Sequence, residues 1–156
     1  MITRKCTLSP HRKADAKGLI LCFWAEWEQK LIDNEIAVVF RKNTAVVPTP
    51  SYLYAYLNKP VQKIVGRAPI SEVTKNTLRE CLAFAPRSGY SSEDIKAYAG
   101  FKSLFVYHLG KFEKAPKPIT VKELASGYGF VPSPQASLLS KEGRQELDKR
   151  LGFSSR

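Results

Sequence analysis

Apolar residues along the chain form short runs, separated by polar stretches that contain proline or glycine. Five runs have the β-branched or alternating pattern that is typical of strands. In chain order they read LILCFWA, IAVVF, SYLYAYL, QKIVGRAPISEV and KSLFVYHLGKF. After the first run, the segment AEWEQKLIDN places Trp27 and Leu31 on one helical face, which predicts a short helix.

Capping signals locate the other helices. Residues 77–100 contain two short helical pieces, and Ser91 or Ser92 is the expected cap of the second. Thr120 with Glu123 three positions later forms a capping-box pattern at the start of TVKELASGYG. SLLSKEGRQELDKRLG predicts a C-terminal helix. Five to six strands broken by short helices predict an α+β protein with a curled β-barrel, peripheral short helices and a C-terminal helix.

The length of the chain favours one core. With 156 residues and 44% hydrophobic residues, one core can be buried and two independent ones are not expected. We divide the chain into a basic flexible arm (1–18), the folded domain (19–139) and a C-terminal helix with its tail (140–156). The arm either touches phosphate non-specifically or is a solvated tail.

The charge of the chain indicates an anionic partner. There are 25 Lys and Arg against 14 Asp and Glu, a net charge of +11, which favours nucleic acid first and an anionic membrane second. The sequence lacks an apolar run of roughly 18 residues that could span a bilayer, and its N-terminus lacks the apolar core of a signal peptide. We therefore expect a cytoplasmic protein without a membrane partner.

Cysteine and histidine spacing gives no local sign of a metal site. Cys6, Cys22 and Cys81 are too widely spaced for a CxxC site or a disulfide framework, so reduced thiols are expected, the last two packed as small hydrophobes. His11 and His108 are far apart in sequence, although their approach to a cysteine in space stays open. No cofactor and no metal are predicted.

The third run carries tyrosines at alternate positions and is flanked by basic residues. If Tyr54 faces a cleft, Leu53 and Leu57 point into the core, and Tyr54 offers a ring on which a base stacks. Alternatively, the tyrosines pack under the surrounding helices. The alternating tyrosines are Tyr52, Tyr54 and Tyr56, and the flanking cations are Arg41, Lys42, Lys59 and Lys63.

Several segments together resemble a known family. ILCFWAEWEQKLIDNEIAVVFRKN, SYLYAYLNKPVQKIVG, YHLGKF, KPITVKELASGYG and PSPQA follow one another over residues 19–139. In this order they resemble the ASCH family, a branch of the PUA-like β-barrels. The resemblance implies an RNA-associated or coactivator-type module, since PUA-like barrels commonly bind RNA or seat a nucleobase in a cleft. Some members cleave single-stranded RNA or hydrolyse an amide of acetylated cytidine.

The resemblance also points to particular residues. Arg41 and Lys42 match the family's Arg-Lys pair, which implies a cleft role for Arg41; a structural arginine is the alternative. Many members carry a lysine after the first strand and a glutamate before Phe-Arg-Lys, where this chain has Trp24 and Val39. If the cleft persists, its floor is flatter and more apolar, and a base could stack on it.

The amidohydrolase activity is not expected. With Arg41 as anchor, the family's Gly-x-Lys-Thr-x-Thr-x-Arg motif places its lysine on Ile36 and its second threonine on Val39. Neither side chain can act as nucleophile or base, and Glu72 alone cannot replace them.

The leading prediction is a domain that binds nucleic acid, most simply single-stranded RNA or a nucleobase, in a basic, aromatic-lined cleft. A metal-independent ribonuclease, which could draw on Lys59, Lys63, Tyr54, Arg41 and His108, and a basic protein-interaction domain are the alternatives. Lys59 and Lys63 either hold phosphates or form a solvated face, and Ser133 and Gln135 either read a base edge or cap the following turn. The candidate RNA-binding residues are Trp24, Arg41, Lys42, Tyr54, Lys59, Lys63, Ser133 and Gln135. The sequence does not decide between RNA and DNA, and it does not give the preferred base or the oligomeric state.

Overall fold

The computed structural model describes residues 18–42, 50–128 and 137–153. The predicted basic arm, apart from Gly18, lies outside the described residues, and so do Ser133 and Gln135. Those three predictions therefore stay predictions.

The described residues form seven strands and five α-helices, with short 3-10 turns at Ala25–Trp27 and Ala85–Arg87. The strands are β1 (Gly18–Phe23), β2 (Val38–Arg41), β3 (Tyr52–Leu57), β4 (Lys63–Asn76), β5 (Leu104–Leu109), β6 (Glu113–Thr120) and β7 (Ser137–Leu139). The helices are α1 (Glu28–Ile32), α2 (Leu78–Ala83), α3 (Ser92–Ala99), α4 (Val121–Tyr128) and α5 (Lys141–Leu151). None of these helices is long and apolar enough to cross a membrane.

The strands form one curved, mixed sheet in the order β2-β5-β4-β3-β1-β7, and β6 pairs with β4 outside this order. β1 and β3 are parallel, with Phe23 opposite Leu57, and the other pairs are antiparallel. The α+β class is confirmed. The predicted closure into a barrel is not found in the part of the chain that the structure describes: the order branches at β4, which leaves β2 and β7 at separate ends.

The sequence analysis did not predict two of the strands, β6 and β7. β6 contains Pro116 and Pro118, and proline within a run argues against a strand because it cannot donate a ladder hydrogen bond. The pairs of β6 with β4 lie before and after both prolines, at residues 113–114 and 119–120. β7 is three residues long and occupies the start of the segment that we predicted as C-terminal helix, so α5 begins only at Lys141.

The predicted helix starts at Ser91 and Thr120 are confirmed. The Asp94 amide donates to Ser91 Oγ over 3.1 Å, and Ser91 precedes α3. At α4, the Glu123 amide donates to Thr120 Oγ1 over 3.2 Å while the Thr120 amide donates to Glu123 Oε1 over 3.1 Å. This reciprocal pair is the capping box that the sequence predicted.

Both faces of β3 are buried. Leu53 and Leu57 pack into a core with Trp27 and Leu31, although the condition under which this orientation was predicted, that Tyr54 faces a cleft, is not met. Tyr54 and Tyr56, on the other face, pack into a second core; its helical members are Leu124 of α4 with Leu147 and Leu151 of α5. Tyr54 and Tyr56 therefore pack under the helices, as the alternative interpretation predicted.

We expect Gly66→Ala to destabilise the fold by about 1–3 kcal/mol, as overpacking does. A Cβ at Gly66 would collide with the Glu113 carbonyl oxygen and the Phe112 ring, where β6 pairs with β4. Urea denaturation measures the change. Gly127→Ala is the matched control, because its Cβ would meet only the flexible Arg150 side chain and alanine favours the helix. Equal stability of both variants would contradict this account of the β4 and β6 contact.

Candidate nucleic-acid interface

Four large apolar side chains of the described residues face solvent, one after β1 and three at the two ends of α3. Trp24 follows β1, Tyr90 precedes α3, Tyr98 lies in the last turn of α3 and Phe101 follows that helix. Trp24 is 57% exposed and Phe101 is 92% exposed, whereas the two tyrosines are somewhat more than one-third exposed. Exposed aromatic groups on a strongly basic protein are candidates for base stacking.

Tyr90 is held firmly beneath Trp24. The Tyr90 ring meets the Trp27 ring edge-on, with 4.8 Å between the ring centroids, and Trp27 is part of the core. The buried Ser88 hydroxyl accepts from the Tyr90 amide over 3.1 Å, which fixes the turn before α3. Trp24 lies close enough to the Tyr90 side chain to influence its hydroxyl, so the exposed indole has an ordered neighbour.

Several groups near the Tyr90 hydroxyl shift its pKa. Burial raises this pKa, and Tyr98 and Asp94 raise it further, while the hydrogen bond from Trp24 and the charge of Arg41 lower it. Arg41 ends β2 and is half-buried beside Phe105 of β5. Trp24, Arg41 and Tyr98 therefore all lie around Tyr90.

Lys42 joins the end of β2 to α3. Its amide donates to the Tyr98 hydroxyl over 3.2 Å, and its ammonium lies 4.8 Å from the centroid of the Tyr98 ring. That distance is within the range of a cation–π contact. We call the five residues of this region the aromatic–basic surface; they are Trp24, Arg41, Lys42, Tyr90 and Tyr98.

The aromatic–basic surface unites three of the predicted candidates, Trp24, Arg41 and Lys42. Tyr90 and Tyr98 were missed, because their place beside β2 depends on how α3 packs against the sheet. Ile95 and Ala99, buried with β2 and β5 side chains, provide that packing. The only signal in the sequence was the presence of two tyrosines close to a short predicted helix.

Lys59 and Lys63 lie near the strand ends on the neighbouring hairpin. Both side chains are exposed, and the Asn58 amide donates to the Phe23 carbonyl over 3.0 Å. This bond places the β3–β4 hairpin beside the backbone at Trp24.

Tyr54 does not provide a stacking surface, and that prediction is wrong. It is fully buried under α5, where its hydroxyl donates to Asp148 Oδ1 over 2.5 Å. Burial, foremost, and the contact with Asp148 raise the pKa of Tyr54 far above its usual range. Asp148 supplies the partner that a buried hydroxyl needs, which is why the tyrosine face of β3 can be buried.

Asp148 also holds two arginines. Its Oδ1 lies 2.9 Å from Arg67 Nη1 and its Oδ2 lies 3.0 Å from Arg144 Nη1. The Arg67 guanidinium lies between the Tyr52 and Phe153 rings, 4.2 Å from each centroid. We call this set the Arg67 cluster: Tyr52, Tyr54, Arg67, Arg144, Asp148 and Phe153. It borders an open cleft of about 1250 Å³ between α5 and the sheet, and its paired charges bind the helix to the sheet.

We expect the stability of the protein to fall above about pH 10, partly through Tyr54. The unfolded phenol ionises near its ordinary pKa of 10.0, whereas the native phenol, with its raised pKa, keeps its proton. The stabilisation is therefore complete below pH 10 and is lost as the pH rises. In Tyr54→Phe the fall should be shallower by up to one proton, about 1.4 kcal/mol per pH unit, in urea titrations between pH 9 and 11. Identical pH slopes for both proteins would refute this role.

The other chemistry-bearing residues are dispersed. His108 on β5 contacts Thr74 Oγ1 at 2.9 Å and the Phe84 ring edge-on, away from Tyr54. Cys22 is partly buried against the core that contains Tyr54, and Cys81 is a buried thiol in the core that contains Ile95. In the described ranges no three His, Cys, Asp or Glu residues gather where they could hold a metal ion.

Three of the similar solved structures are of one protein of Zymomonas mobilis that is described as ASCH. Its crystal structure has a TM-score of 0.75 at 20% identity and covers 85% of this chain and 94% of that chain. A serine-to-alanine mutant of that protein matches with a TM-score of 0.75 at 20% identity, covering 87% and 97%. A tyrosine-to-phenylalanine mutant matches with 0.74 at 20% identity, covering 85% and 97%. No protein-family model and no curated protein matches the sequence.

Proposed function

We propose that this chain binds single-stranded nucleic acid, and RNA before DNA, on the aromatic–basic surface. The chain has the ASCH-domain fold that its sequence motifs implied, and this fold supports the proposal. The observation that carries the proposal is the convergence of exposed aromatic rings with Arg41 and Lys42. The net charge of +11 supports it, since it draws a polyanion toward the protein.

Trp24 is the stacking group of the proposed site. Its ring is more than half exposed and lies beside Tyr90, whose ring is held edge-on against Trp27 with 4.8 Å between the centroids, so Trp24 has an ordered neighbour before a ligand arrives. Preordering lowers the entropic cost of binding. A base must leave its helical stack to lie on such a ring, which favours single strands over duplexes.

The cations supply phosphate contacts. Arg41 and Lys42 adjoin the aromatic rings, and we assign Lys59 and Lys63 on the neighbouring hairpin to the same strand of nucleic acid. Ser133 and Gln135 stay proposed contacts to a base edge.

Salt-dependent binding tests the phosphate contacts. We expect the affinity for a fluorescently labelled 12-nucleotide RNA to fall between 50 and 300 mM salt, each phosphate contact contributing about 0.7 to the log–log slope. Lys42→Ala should weaken binding and reduce that slope by about 0.7, because it removes one contact. Lys117→Ala is the matched control: Lys117 is an exposed lysine of β6 beside the end of α5. Equal losses in both variants would mean attraction by net charge alone.

The fate of the RNA separates binding from cleavage. In EDTA, native gels should show a shifted complex while denaturing gels show RNA of unchanged length, and Arg41→Ala should abolish the shift. Shortened RNA that disappears in Arg41→Ala would instead make the protein a metal-independent ribonuclease. A shift that heparin removes and that is equal for every base composition would favour the protein-interaction alternative.

A further inference from the structure

Phe101 is an exposed aromatic residue in an unfavourable backbone conformation. It is 92% exposed and has φ +69°, in the left-handed region, directly after Gly100 at φ +58°. A non-glycine residue in this region is strained, and an exposed ring gains little burial to offset that strain. Such conformations concentrate at ligand-binding positions, so the position invites a functional explanation.

The turn that carries Phe101 is ordered and continuous with the aromatic–basic surface. The Gly100 amide donates to the Lys96 carbonyl over 3.0 Å, and the Lys102 amide to the Ala99 carbonyl over 3.1 Å. Three residues earlier, Tyr98 binds the Lys42 amide through its hydroxyl. Phe101 therefore stands on a fixed support at the end of α3, next to the Tyr98 and Lys42 contact.

We propose that Phe101 is a second stacking position for the same nucleic-acid strand, so that the ligand is a single-stranded segment of at least about four nucleotides and not one flipped nucleobase. This inference rests on the proposed function. In this arrangement one base of the nucleic acid stacks on Trp24. The chain of nucleotides then passes Tyr90 and Tyr98, and a later base stacks on Phe101.

Charge favours nucleic acid over other occupants of this apolar tip. Lys42 lies on the Tyr98 ring, and the exposed side chains of Lys96 and Lys102 flank Phe101 in the chain. These cations offset the negative helix C-terminus and would repel an identical basic surface of a second copy.

Affinity as a function of RNA length tests the inference. Fluorescence anisotropy with 3-, 6- and 12-nucleotide oligouridines is measured for the native protein, Trp24→Ala, Phe101→Ala and Phe101→Trp. We expect Phe101→Ala to weaken binding of the 12-mer by about 5- to 100-fold and to leave the 3-mer unchanged, because a short oligomer cannot reach both rings. Phe101→Trp should bind the 12-mer as tightly as the native protein does, whereas Trp24→Ala should weaken the binding of all three oligomers.

The failures are distinguishable. Undetectable binding by the native protein at every length removes the proposed function itself. Native binding that Phe101→Ala leaves intact at 12 nucleotides overturns the second stacking position and leaves the proposed function standing. A dimer that Phe101→Ala dissociates in size-exclusion chromatography, with RNA affinity unchanged, would assign Phe101 to self-association. Phe101→Gly should raise the melting temperature while weakening 12-mer binding, a combination that a structural role for the ring would not produce.

Discussion

Asp148→Ala is expected to lower the free energy of unfolding by about 3–5 kcal/mol, which is the usual cost of removing one partner from a buried ion pair. Asp148 is 6% exposed, and its two oxygens bind Tyr54, Arg67 and Arg144. Without the carboxylate, the buried Tyr54 hydroxyl loses its acceptor, and of the two carboxylates that contact Arg67 in the described residues Glu113 remains, at 2.7 Å. Urea denaturation followed by circular dichroism measures the loss.

The same helix offers a matched control. Glu146 pairs with Arg150 over 3.5 Å, and both side chains are more than two-fifths exposed. Glu146→Ala should therefore change stability by less than about 1 kcal/mol, because solvent screens exposed pairs. If the two variants lost equal stability, the Arg67 cluster would not be what binds α5 to the sheet.

Trp24→Ala is expected to weaken binding of single-stranded RNA by about 1–3 kcal/mol, or about 5- to 150-fold, through the loss of one stacked base. The salt slope should stay unchanged, because an indole ring contacts no phosphate. Trp24→Phe, which keeps an aromatic face, should bind within a few-fold of the native protein. Fluorescence anisotropy over a salt series measures both quantities.

Stability separates this effect from unfolding. Since the Trp24 ring is mostly exposed, Trp24→Ala should retain the native melting temperature within a few degrees. An RNA affinity equal to that of the native protein, in a variant that is folded, would exclude Trp24 from the site.

Sequence patterns located the elements with strong periodicity or caps. The runs that became β1 to β5 are β-branched or alternating, and Thr120 with Glu123 marked the start of α4. β6 was missed because its unpaired middle carries both prolines, and local patterns cannot show which residues of a strand pair.

Residues of the candidate site could be predicted only where they occupy a position of the family's sequence motifs. Trp24 and Arg41 became candidates because they occupy family motif positions, and the structure places both near Tyr90; their role in binding stays a prediction. Tyr54 was misassigned because alternation fixes which residues share a face of a strand but not what covers that face. Asp148, 94 positions away, made its burial possible, and such a long-range partner leaves no local trace.

Tryptophan fluorescence during RNA titration tests the central claim, that a base stacks on Trp24, most directly. The protein has two tryptophans, of which Trp27 is 8% exposed and packed in the core. We predict that oligouridine strongly quenches the tryptophan emission of the native protein. It should leave the tryptophan emission of Trp24→Phe unchanged, under conditions in which anisotropy detects binding by this variant. Equal quenching in both proteins, or native binding without quenching, would contradict the claim.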